Sequence, residues 1–201
     1  MAKRGPYAKG RERREEILDA TLEVFSRSGY RGASMRAIAR QIDITPTLIQ
    51  HYFPTKEDLL TEVIRAWDDG NARLAGNLPM IDTLLFNIRR NTEIPGLIHL
   101  YTAYAVEASD PDHPARPFFA RRYEQMTTDL VNDLDRRKRA GTAPPELDSQ
   151  HSARVIIATC EGMQVRWLHS PDFDMYVEFW EFLGSLGLEP YASNAPLLAA
   201  D

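Results

Sequence analysis

Apolar residues recur at three- and four-residue steps along nearly the whole chain, and no stretch sustains the apolar–polar alternation of a strand. From Arg11 onward, Ile17, Leu18, Leu22, Val24 and Phe25 line most of one helical face, and Gly29 is placed to end that helix as a left-handed cap. Ser34 can cap a second, short helix whose inner face is Met35, Ile38, Ala39 and Ile42. Asp43-Ile44 makes a tight break. Thr45 followed by Pro46 then signals a third helix: a hydroxyl cap, and a proline at the first helical position, where its missing N–H costs nothing. Pro54 closes this helix after about Tyr52, and Thr55 opens a fourth with Glu57 and Asp58 in its first turn, where the helix dipole favours anions. The same periodicity predicts helices at about 55–75, 80–92, 95–109, 114–140, 148–169 and 173–187, divided by Gly- and Pro-bearing breaks. The predicted fold is all-α with about nine helices: an N-terminal three-helix domain over residues 1–54 and a larger helical bundle over 55–201.

Charge divides the chain in the same place. The net charge of −5 argues weakly against a nucleic-acid partner, but residues 1–60 carry 11 Lys/Arg against 8 Asp/Glu and the remainder 13 against 21. The first fourteen residues hold six basic side chains and one acid, Glu12. This is the pattern of a small basic binding head on an acidic body. Residues 1–10, basic and interrupted by Gly5, Pro6 and Gly10, read as a flexible arm. The single cysteine, Cys160, excludes an intrachain disulfide and a multi-cysteine metal site, and His99, His113, His151 and His169 show no ligand spacing. No metal or cofactor is expected. The N-terminus lacks the apolar run of a signal peptide, and no apolar segment reaches the roughly 18 residues of a membrane span, so a cytoplasmic location is expected. GxSxG elbows, P-loops, dinucleotide fingerprints and His–carboxylate metal motifs are absent from the sequence, so an enzyme is not expected.

Two short helices joined by a tight turn and braced by a longer first helix form the helix-turn-helix plan, whose second helix enters the roughly 12 Å wide major groove. Leu48, Ile49 and Phe53 are spaced to pack inward, which leaves Thr45, Pro46, Thr47, Gln50 and His51 outward. Glutamine can pair with adenine through two hydrogen bonds, and threonine methyls can meet thymine methyls. Tyr52 and Lys56 are placed for phosphates. So are Ser34 and Arg36 at the start of the second helix, with the free N–H groups of the second and fourth helices. Lys9 and Arg11 in the basic arm are candidates for minor-groove or phosphate contact.

These residues carry a resemblance. Ser34-Met35-Arg36-Ala37-Ile38-Ala39, then Thr45 to Phe53 (TPTLIQHYF), then Pro54 to Leu60 (PTKEDLL) resemble the TetR/AcrR family of bacterial repressors. Ile17-Leu18-Asp19-Ala20, Phe25 and Gly29-Tyr30 fit the family's first helix. The resemblance covers about 50 residues of the 201. It implies a homodimer reading a near-palindromic double-stranded operator, and a small-molecule effector in the C-terminal domain that shifts the fourth helix and releases the DNA. Thr47 stands where the family often has glycine, and Gln50 where it often has tyrosine, so base preference is expected to differ.

In the body, three helices each offer an aromatic and a polar side chain, and an effector pocket is expected from Trp67, Tyr101, Tyr104, Tyr123, Met126, Gln164 and Trp167. The alternative is a dimeric helical regulator with no small-molecule effector. A stripe of Phe179, Phe182, Leu183 and Leu186, paired with a face bearing Ile156 and Met163, is the expected dimer surface. Cys160 sits among apolar neighbours and reads as buried and inert rather than as a redox sensor. The run Arg136–Arg139 reads as a solvated helix end that complements its dipole.

Overall fold

The computed structural model describes residues 6–188. Among these residues it contains nine helices and no strand: α1 (Pro6–Gly32), α2 (Met35–Gln41), α3 (Pro46–Tyr52), α4 (Lys56–Ala75), α5 (Met80–Thr92), α6 (Pro95–Glu107), α7 (Arg116–Ala140), α8 (Ser149–His169) and α9 (Met175–Ser185). No helix among the described residues is long and apolar enough to cross a membrane.

The start of the chain differs from the sequence reading. Residues 6–10 are not an irregular arm but the first turns of α1. Proline is tolerated at a helix start, and the one glycine there costs only about 1 kcal/mol relative to alanine. Lys3 and Arg4 of the expected arm lie outside the described residues. Gly29 interrupts α1 as expected, with φ +62° and ψ −174°.

The chain packs as two compact units. The first takes the residues up to Asp68 together with Ile94–Arg116, and so extends past residue 54 to include the start of α4 and all of α6. Its core holds Ile17 and Phe25 of α1, Ile38 of α2, Ile49 of α3, Leu59 and Leu60 of α4, and Leu100 and Tyr104 of α6, all fully buried. Burial of each such side chain stabilises by roughly 1.5–3 kcal/mol. Helix α6 lies against α1 so closely that a Cβ on Gly96 would stand 2.5 Å from the Leu22 carbonyl oxygen and 2.6 Å from the Ser26 nitrogen. Backbone meets backbone there, so only glycine fits. One turn further on, the His99 ring occupies the space beside Gly29, where a Cβ would be 2.7 Å from Cε1.

The second unit comprises Asp69–Glu93 and the chain from Pro117 onward. Here α9 packs on both α5 and α8. That arrangement corrects part of the expected dimer surface: Ile156, Phe179 and Leu183 are fully buried within their own chain, because they fill the space between these three helices. Met163, Phe182 and Leu186 remain half-exposed.

Arg137 corrects a second expectation. It is not solvated but fully buried. Its Nη2 donates to Asp82 Oδ2 at 2.7 Å, and its Nε lies 3.5 Å from Asp133 Oδ2. Asp133 Oδ2 also accepts the Ile81 N–H at 3.0 Å, so α7 supplies the cap that α5 lacks in its own sequence. Cys160 is buried, and burial pushes its thiol up to about 11. It is therefore protonated at neutral pH, which suits an inert core residue.

Candidate nucleic-acid interface

The three hydroxyl caps read from the sequence are formed. Ser34 Oγ accepts the Ala37 N–H at 3.2 Å, and Thr45 Oγ1 accepts the Leu48 N–H at 3.2 Å. Thr55 and Asp58 cap each other: the Asp58 N–H donates to Thr55 Oγ1 at 3.0 Å, and the Thr55 N–H donates to Asp58 Oδ2 at 3.1 Å. Capping uses the Ser34 and Thr45 hydroxyls as acceptors, so each keeps its proton to donate to a phosphate. Between α2 and α3, Asp43 takes the left-handed conformation (φ +52°), which turns the chain within two residues. Short polar side chains tolerate that conformation better than branched ones.

Ile49 and Phe53 are buried, so α3 is anchored along one face. The opposite face, with Thr45, Pro46, Thr47, Gln50 and His51, is exposed. Tyr52 is half-buried, and its ring packs edge-to-face on His51 with centroids 5.3 Å apart. Arg14 braces the end of α3 from α1: its guanidinium lies over the Phe53 ring at 5.1 Å, and its Nη2 pairs with Glu62 at 2.8 Å. Lys56 stands at the first position of α4 with its ammonium 4.7 Å from the centre of the Tyr30 ring. Burial lowers the Lys56 pKa from its ordinary value, while neighbouring Glu57 opposes the shift. A cation held over a ring keeps its N–H donors, so this arrangement positions Lys56 without neutralising it.

Arg36 is exposed on α2, as are Lys9 and Arg11 on α1. Arg11 is within 3.8 Å of Glu15, a solvated pair of the kind worth little. Acidic side chains gather on another part of the head. Glu12, Glu15, Glu16, Asp19 and Glu23 line a groove of about 390 Å³ on α1. Partial burial, then Glu15 and Glu23, raise the Asp19 pKa. Arg11, Arg13 and Arg27 pair with Glu15, Glu16 and Glu23 along this groove, which Ile42 at the end of α2 also lines.

Residues 17–63 match the family model described as bacterial regulatory proteins, tetR family. The HTH-type transcriptional repressor KstR of Mycolicibacterium smegmatis is 32% identical over 174 residues, which span 79% of this chain and 78% of that protein. The chain belongs to the TetR family. It is a DNA-binding transcriptional regulator of that family. A TetR-family regulator from Rhodococcus sp. has the same fold, with a TM-score of 0.72 at 19% identity over 88% of this chain and 99% of that one. FadR from Bacillus subtilis, solved with stearoyl-CoA, has a TM-score of 0.66 at 20% identity, covering 86% and 96%.

The residues named for an effector in this TetR-family chain divide between the two packing units. Trp67, Tyr101 and Tyr104 fall in the first; Tyr123, Met126, Gln164 and Trp167 fall in the second. Tyr104 is fully buried, and its hydroxyl is engaged with α4: it donates to the Glu57 carbonyl at 2.9 Å and lies 3.1 Å from Thr61 Oγ1. It is thus a tie within the head rather than an open pocket wall. Tyr101 is buried and Trp67 half-buried. In the second unit the Tyr123 hydroxyl donates to Glu161 Oε1 at 2.7 Å, and buried Gln164 reaches Cys160 Sγ at 3.5 Å. Met126 and Trp167 are half-buried. Glu161, three residues before Gln164, lies on the same side of α8.

Proposed function

We propose that two copies of this chain grip a near-palindromic double-stranded operator and repress transcription until a small-molecule effector releases them. In this reading residues 1–54 bind DNA and residues 55–201 bind the effector and dimerise. The observation that carries it is the two-sided character of α3: Ile49 is buried in the core while Thr45, Thr47, Gln50 and His51 stand exposed together. Gln50 and Thr47 read base edges. Ser34, Tyr52, Lys56 and the helix N-termini hold phosphates. Dimerisation uses the exposed side of α8 and α9, where Val165 and Val177 lie open and Met163, Phe182 and Leu186 are half-exposed. The effector reading is supported by polar side chains held among apolar ones on α7 and α8, namely Tyr123, Glu161 and Gln164. FadR, solved in complex with stearoyl-CoA, adds that this fold can hold a small molecule.

The test begins with footprinting the region upstream of the protein's own gene and continues with operator titrations at several salt concentrations. Gln50→Ala should alter base preference, with losses concentrated on one or two base pairs. Lys56→Ala should weaken every sequence alike and reduce the salt slope by about 0.9. Equal losses on all sequences for both variants would sink the assigned roles. A fatty acyl-CoA panel added to the complex tests the effector. Release by none of its members would favour a regulator without this class of effector.

A further inference from the structure

Helix α6 belongs by packing to the unit that carries α2 and α3, and it is fixed there at both ends. Its first turns are held against α1, where Gly96 admits the Leu22 carbonyl and His99 fills the space beside Gly29. Its later turns reach α4 through the Tyr104 hydroxyl. Tyr104 is fully buried, and a phenylalanine would fill the same space with no polar atom to satisfy. The hydroxyl that makes the difference meets the Glu57 carbonyl and the Thr61 hydroxyl, two groups on α4. Those residues are four apart, one turn of helix, so the hydroxyl bridges them only when the first two turns of α4 are wound. Burial pushes the phenol up to about 12, so it stays protonated and able to donate throughout the neutral range. The turn it grips begins with Lys56, which is steadied from the other side by Tyr30.

We propose that Tyr104 is a positioning residue for DNA binding: its hydroxyl pins the start of α4 to α6 and thereby holds Lys56 where a phosphate is gripped. The proposal rests on the reading of Lys56 as a phosphate contact, and it makes α6 a strut of the DNA-reading head rather than only a wall of the body. The full-length protein and a duplex carrying the footprinted site provide the test, by fluorescence anisotropy across a salt series. Tyr104→Phe should weaken binding roughly three- to tenfold, the worth of one ordinary hydrogen bond. It should also lower the salt slope by up to about 0.9, the share of one phosphate. Adding Tyr104→Phe to Lys56→Ala should cost less than about twofold more, because no phosphate grip is then left for the hydroxyl to position. Combining Tyr104→Phe with Gln50→Ala should instead multiply the separate losses. Thr61→Val, which removes the smaller partner, should show a weaker form of the same pattern and serves if Tyr104→Phe fails to fold. Wild-type affinity and slope in Tyr104→Phe would overturn the proposal, as would losses that multiply with Lys56→Ala. A wild-type protein that binds no upstream DNA would instead defeat the function proposed above.

Discussion

Arg137 shows how a single residue's role depends on what surrounds it. Its guanidinium lies between two buried carboxylates, 2.7 Å from Asp82 and 3.5 Å from Asp133, and exposed Arg136 reaches Asp133 at 3.5 Å. Removing the charge leaves two carboxylates in a medium that solvates them poorly. Arg137→Met should therefore destabilise the protein by roughly 3–5 kcal/mol, measured by urea unfolding, whereas Arg137→Met combined with Asp82→Leu should recover part of that loss. A double variant no more stable than the single one would show that the pairing is not the source of the cost. Among four consecutive basic residues the sequence offers no charge-based reason to choose one. The usable signal was periodicity: Leu130 and Leu134 are buried, and Asp133 and Arg137 continue their stripe at steps of three and four. A charged residue on an apolar stripe reads as buried only if its counter-ion is known, and Asp82 is 55 residues away.

At the scale of the helix, starts and stops were the most legible feature. Ser34, Thr45, Thr55, Asp148 and Asp174 all cap the helices that follow them, since a side-chain acceptor within three residues of an unpaired N–H needs no distant partner. Asp148 makes this testable by pH. The His151 N–H bond holds its carboxyl below the usual 3.8, so the folded protein releases that proton more readily than the unfolded chain. The stabilisation is fully present above the unfolded value and fades as pH falls through the folded one. Asp148→Asn, which keeps a cap but no charge, should show a shallower decline in melting temperature between about pH 5 and pH 2. Parallel declines would place the acid sensitivity elsewhere. Helix α5 is the counter-example: its N-cap is Pro79, with no side-chain bond, and its cap arrives from α7. No local pattern could reveal that.

For the whole molecule, the question is which apolar surface is left over after each chain has folded. The stripe on α9 is hydrophobic enough to serve either a core or a partner, and α5 and α8 take most of it. Ala158, Gly162 and Val165 stay exposed along α8, as do Val177 and Gly184 along α9. Val165→Glu together with Val177→Glu should give a folded monomer in sedimentation at micromolar concentration. Its helicity should be unchanged and its operator affinity strongly reduced, because two half-sites are no longer engaged together. A dimer that survives both charges would move the interface to another face.

The sequence by itself determined the helical class, most of the helix boundaries and which face of α3 stays exposed. Each of these depends on local properties: a period of 3.6, a cap within reach of its own helix, and a turn between two short amphipathic segments. The tertiary structure alone decided that α6 packs with the head, that Tyr104 spends its hydroxyl on α4, that Arg137 lies inside, and that Ile156, Phe179 and Leu183 are core. Those facts depend on residues far apart in the chain meeting in space. A side chain's pattern along one helix shows that it must be covered, but which other helix covers it is settled only when the helices pack.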